Sequence, residues 1–84
     1  MNREHDRLER IADLEMRLRE LESALAELDH RARRLGDRIE REGGARGEAA
    51  IERRELDRNR RLNREEIAQV RAELNRLRED DPPG

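Results

Sequence analysis

The chain has no cysteine, no lysine and no aromatic residue, and Ser23 is its only hydroxyl side chain. Without cysteine there is neither a disulfide framework nor a thiolate metal site. Without aromatic rings it lacks the bulk that usually fills a globular core, and also the platforms on which nucleic acid bases stack. A lone serine with no triad partners leaves no nucleophilic centre. No apolar run approaches the roughly 18 residues of a membrane span. The opening stretch "MNREHDRLER" lacks the apolar segment of a secretory signal. These absences predict a cytoplasmic protein that makes no membrane contact. Arginine as the sole basic residue suggests GC-rich coding, as in a bacterium or its phage.

What is present is charge and leucine. Of 84 residues, 50% are charged, and 20 arginines nearly cancel 22 acids to leave a net −2. Mean hydropathy is −1.34. A chain rich in Ala, Glu, Leu and Arg is the composition of long helices meeting along a thin seam. Disorder favours a high net charge, which this chain does not have.

The apolar residues are strictly placed. Ile11, Leu14, Leu18, Leu21, Leu25, Leu28, Ala32, Leu35 and Ile39 alternate in steps of three and four. That is an a/d stripe in the seven-residue notation a to g, the signature of a coiled coil. Asn2 suits a helix N-cap, with Glu4 and Asp6 complementing the positive helix start. "GGARG", residues 43 to 47, then breaks the helix. A second stripe follows through Leu56, Asn63, Ile67, Val70, Leu74 and Leu77, with Arg53 and Arg60 in two a positions. The predicted fold is all-α and a single unit over residues 1–84. It consists of helix 3–42, glycine loop 43–47, helix 48–79 and a loose tail 80–84.

Flanking charges predict how the helices pair. In the first helix the g positions are Arg10, Arg17, Ala24, Arg31 and Arg38, and the e positions include Glu15, Glu22 and Asp29. In the second helix g carries Glu52, Asn59, Glu66 and Glu73, while e carries Asp57, Arg64, Arg71 and Arg78. Antiparallel helices bring g to g and e to e, so arginine meets acid on both flanks. An antiparallel coiled-coil hairpin is therefore expected. Paired residue numbers adding to 95 would set Leu18 by Leu77, Leu21 by Leu74, Leu25 by Val70, Leu28 by Ile67 and Ile39 by Leu56. The same register puts Ala32 by Asn63 and Leu35 by Arg60.

A two-helix hairpin buries little, so dimerisation of two hairpins into a four-helix bundle is expected. Leu8, Met16, Ile51 and Leu62 lie off the seam as candidates for that contact. Residues 1–29 carry five arginines and nine acids, residues 30–64 twelve and seven, and residues 65–84 three and six. Folding back makes a rod with a basic loop end and an acidic open end, and two rods laid antiparallel would set plus on minus. In the basic half, Arg34, Arg38, Arg53, Arg54, Arg58, Arg60, Arg61 and Arg64 are candidates for contact with phosphate or an acidic partner. Asn59 and Asn63 either fix the register or line a polar gap that takes a ligand.

No catalytic or metal constellation appears. His5 and His30 stand alone, and "GGARGE" lacks the strand and the Lys-Ser/Thr of a phosphate-binding loop. The expected function is a non-enzymatic, cofactor-free adaptor or regulator that acts through a protein partner and self-association. The alternative is a nucleic-acid-binding bundle that uses the basic half. A third reading is a small-molecule-responsive transcriptional regulator with its ligand in the polar seam.

"RIADLEMRL", residues 10 to 18, resembles the opening of the SlyX-type small bacterial coiled-coil proteins. The glycine break and the charge-inverted second helix depart from that pattern. In architecture the expected hairpin dimer is similar to the Rop type, a four-helix bundle that binds RNA, an analogy of fold and not of motif.

Overall fold

A computed structural model describes residues 3–44 and 46–79. Two helices account for nearly all of them, α1 over Arg3–Arg41 and α2 over Glu48–Glu79, with no strand among the described residues. Asn2, Ala45 and the tail 80–84 lie outside the described residues, so the N-cap and the loose tail are not among the observed features. Acids in the first turns (Glu4 and Asp6, then Glu48) and arginines in the last (Arg38 and Arg41, then Arg76 and Arg78) complement the helix dipoles. α1 ends one residue earlier than the predicted 42.

The chain reverses at the glycines. Gly43 has φ 81° and Gly44 has φ 130°, values that side-chain-bearing residues rarely adopt. Their amides donate back to the helix, Gly44 N–H to the Ile39 carbonyl at 2.9 Å and Gly43 N–H to the Glu40 carbonyl at 3.3 Å. This pairing is the Schellman motif, which satisfies two carbonyls that the helix end would otherwise leave open.

α2 then runs back along α1, and the product is a rod of 62 × 19 × 14 Å. Its radius of gyration is 18.8 Å, against about 12 Å for a globular chain of this length. The buried side chains form two groups. Toward the open end, Leu14, Leu21, Ile67, Val70 and Leu74 pack together, joined by the half-buried Ile11, Leu18, Leu25 and Leu77. Toward the loop, Leu35, Ile39, Ala49 and Leu56 pack together, joined by Leu28.

The register differs from the predicted one by a full heptad. On one flank the ion pairs Arg10–Glu73 and Arg17–Glu66 have residue numbers adding to 83, and Arg38–Glu52 adds to 90. On the other, Glu15–Arg78, Glu22–Arg71 and Asp29–Arg64 add to 93. The seam sum compatible with all three values is 88 and not 95, because g rows then pair at five less or two more and e rows at five more. Leu14 therefore faces Leu74, Leu18 faces Val70, Leu21 faces Ile67 and Ile39 faces Ala49. The two clusters agree, since Leu14 is only 5% exposed and Leu28 belongs to the loop-side group. Ala32 then meets Leu56, Leu35 meets Arg53, Leu28 meets Arg60 and Leu25 meets Asn63.

The physical reason is the turn. Because leucines and charges both recur every seven residues, a one-heptad slide keeps most pairings and their signs. Apart from the polar Arg60 and Asn63 in the seam, the connection is what distinguishes the two registers. Pairing on 88 centres the reversal on Gly44, inside the glycine turn, whereas pairing on 95 would centre it beyond Gly47 and set Ile11 and Leu14 against the tail.

Two cysteines placed in this cysteine-free chain would read the register directly. Leu14→Cys with Leu74→Cys is expected to cross-link on mild oxidation, and Leu21→Cys with Leu74→Cys to stay reduced; the reverse result would restore the 95 register. Gly36 sits inside α1 with nothing within 4 Å of where a Cβ would stand. Gly36→Ala is accordingly expected to stabilise the hairpin by about 1 kcal/mol, read from urea unfolding followed by circular dichroism.

Candidate interaction surface

Both flanks of the seam are closed by ion pairs. The first carries Arg10–Glu73, in which Nε and Nη2 donate to one carboxylate oxygen at 3.2 and 3.0 Å. It continues with Arg17–Glu66 at 3.0 Å and Arg38–Glu52 at 3.3 Å. The hydrogen bond and charge of Glu66 hold the Arg17 guanidinium above its ordinary pKa. The second flank carries Glu15–Arg78 and Glu22–Arg71, each at 3.6 Å, and Asp29–Arg64 at 3.7 Å. These pairs are exposed, so each adds only tenths of a kcal/mol and together they choose orientation more than they add stability.

The first ladder is interrupted between Arg17–Glu66 and Arg38–Glu52, where Arg31 pairs only with Glu27 of its own helix. Where α1 has Ala24 in the g row, α2 has Asn59, and no charge faces either of them in that row. Asn59, Leu62 and Asn63 line a shallow depression there together with Leu28, Glu66 and Gln69. Leu62 is 49% exposed. The structure thus brings the two predicted asparagines together at the surface. Asn63 lies half in the seam opposite the apolar Leu25, and its Oδ1 is buried without a hydrogen-bond partner. Such an orphaned acceptor costs stability.

One layer further toward the loop, Arg60 occupies an a position opposite Leu28. Its Nε donates to Asp29 Oδ1 at 2.7 Å, with both side chains mostly withdrawn from solvent, 26% and 30% exposed. Asp57 is a second partner at 3.7 Å. Arg60 and Asn63 together separate the two apolar clusters.

The eight candidate arginines do not form one patch. Arg38, Arg60 and Arg64 are engaged in pairs with Glu52 and Asp29. Arg34, Arg53, Arg54, Arg58 and Arg61 carry no ion pair among the described residues, and their heptad positions c, a, b, f and b spread them around the rod. Arg54 and Arg61 share the Asp29 flank with Arg33, Arg34 lies on the opposite flank, and Arg58 points outward from α2. Leu8, Met16 and Ile51 are more than half exposed, but they lie at different heights and on different faces, so they make no common apolar patch with Leu62.

A set of residues of which only Arg34 was singled out from the sequence also forms no ion pair among the described residues. The c positions Asp13, Arg34, Arg41, Glu48, Glu55 and Arg76 are all exposed and form no ion pair. The signal was present in the sequence as a charge pattern one row outside the g positions.

His5 lies 3.2 Å from Glu9 on the same helix. Among the described residues no three acids or histidines cluster as metal ligands, and no helix is long and apolar enough to cross a membrane. No protein-family model matches the chain, and neither curated proteins nor solved structures give a significant match. The chemistry of the surface therefore has to be read from its own residues.

Arg60 and Asn63 sit where aliphatic side chains would pack. Arg60→Leu and Asn63→Leu are each expected to raise the unfolding free energy by about 1–2 kcal/mol, because a seam leucine replaces a polar group that is costly to bury. Urea titration of each variant checks this, and a loss of stability in both would contradict the seam described above.

Proposed function

We propose that this chain is a non-enzymatic cytoplasmic protein that works through protein–protein contact, with its own dimerisation as the first such contact. The observation that carries this reading is surface area. The rod exposes 7028 Å², whereas a compact monomer of this mass exposes about 5,200 Å². The excess of about 1,800 Å² is the size of a standard protein–protein interface. Among the described residues no large side chain is less than 2% exposed, so the seam alone encloses none of them completely. Two hairpins packed side by side would make four helices, the architecture of a four-helix bundle.

A second reading has one specific observation in its favour. Arg33, Arg53, Arg54 and Arg61 lie at the loop half of one flank without acidic partners, and unpaired arginines can grip phosphate. Against it stand the net charge of −2 and the acids Asp37, Glu40 and Asp57, which share a depression with Arg33 and Arg53 on that flank. A backbone of phosphates would meet repulsion there, whereas a protein surface of mixed charge would not. The partner reading is the better supported.

Sedimentation equilibrium from low to high micromolar concentration tests it. Twice the monomer mass is the expected plateau, and a monomer throughout would overturn self-association. Anisotropy of labelled RNA and duplex DNA, titrated at two salt concentrations, addresses the second reading. Binding that falls steeply with salt would favour nucleic acid, and flat traces would remove it.

A further inference from the structure

We infer that two copies of this chain pair through the flank that carries the Ala24–Asn59 gap, side by side with their loops at the same end. The inference rests on the self-association just proposed and assigns it a face and a direction.

The unpaired c positions carry the argument. The helices of one hairpin run antiparallel on pairs adding to 88, so residue n of α1 stands level with residue 88 − n of α2. Three pairs of c positions have numbers adding to 89: Asp13 with Arg76, Arg34 with Glu55, and Arg41 with Glu48. Each pair is therefore level to within one residue, about 1.5 Å along the axis. Each pair is also opposite in sign. Among the described residues none of the six makes an ion pair, because c positions point roughly 130° away from the seam, to opposite outer edges of this flank. Nothing in the isolated hairpin gives this level-for-level matching a use.

A twofold axis parallel to the rod does. It lays α1 of one copy over α2 of the other at equal height, with c beside c on the same outer edge. All three pairs then meet, each twice by symmetry. The g rows agree with this placement. Arg10, Arg17, Arg31 and Arg38 of one copy lie over the row of Glu52, Glu66 and Glu73 of the other. At the gap the same rule sets Leu62 beside Glu27 of the second copy, next to Ala24, so the half-exposed leucine packs against the stem of that side chain. Turning one rod end over end on the same flank would set that row of glutamates against its own copy. This argument outweighs the attraction between a basic loop end and an acidic open end. In the end-over-end arrangement the two halves attract only through net charge spread over each half, whereas the like-charged g rows would meet charge by charge, within a few ångström of each other and little screened by salt.

The contact is polar, with one leucine at its centre, and it belongs to a reversible, salt-sensitive dimer more than to a permanent one. The opposite flank, with Arg33, Arg54 and Arg61, stays open in this dimer.

The test uses two double variants of the full chain, R34E/R41E and E48R/E55R. Each reverses two of the three pairs, and the twofold axis turns four attractions into four repulsions. None of the four residues has an ion-pair partner among the described residues, and the loss of Arg41 or Glu48 at its helix end costs the helix little, so circular dichroism should report a largely helical chain in both. Each variant alone is expected to lose dimerisation affinity on the order of a hundredfold. Mixed one to one, they are expected to form a heterodimer near wild-type affinity, since every reversed charge then faces its opposite. Sedimentation with one variant fluorescently labelled reads all three states. If wild type dimerises but the variants also dimerise alone, or fail to complement each other, the face assigned here is wrong while self-association stands. If wild type is monomeric throughout, both proposals fall.

Discussion

The seam between the helices is one layer of aliphatic side chains deep, so no residue of it is shielded on every side. Leu74, the most buried, keeps 2% of its surface, and the half-buried Leu18, Leu25, Leu28 and Leu77 show how quickly the shielding fades toward the flanks. A layer this thin supplies attraction without choosing a partner, because one leucine zipper meets another equally well in many registers and in either direction. Specificity falls to the groups beside it. The arginine and glutamate rows select the antiparallel direction, and the glycine turn selects which heptad meets which.

Those two selectors were not equally visible in the sequence. The three-four spacing located the apolar stripe, and the inversion of charge between the helices gave their direction, down to Glu22 with Arg71 and Asp29 with Arg64. The register was misread by seven residues because the pattern repeats every seven and pairs charges of the same sign rule in either position. The midpoint of the chain reversal, Gly44, carried the missing information, and Ala49 showed that the seam continues to the start of α2. The surroundings of the candidate arginines were illegible for a different reason. A sequence shows which cations are near one another but not which are held by an acid on the other helix, as Arg60 and Arg64 are by Asp29.

Polar residues in the seam divide the molecule's priorities between holding together and being read. Arg60 and Asn63 interrupt a stripe that leucine could have continued, and Asn63 leaves a buried oxygen without a donor. Their effect is to make neighbouring registers unequal. A slide by one heptad would have to find new company for a guanidinium and an amide, while leucine would slide into leucine at little cost. The outward rows are used differently. Their charges contribute little to the hairpin and are arranged as if for something lying against it.

The position of the polar layers also sets where the rod opens. One end is fastened by the covalent turn and its two amide-to-carbonyl closures, the other by the larger leucine cluster. Arg60 and Asn63 lie between, where the two apolar groups fail to meet. A helical hairpin is usually pictured as a zipper that frays from its free ends. This one is clamped at both extremities and loosest at its waist, so its backbone amides should first meet solvent through a bubble around residues 25–28 and 60–63, with the ends still closed.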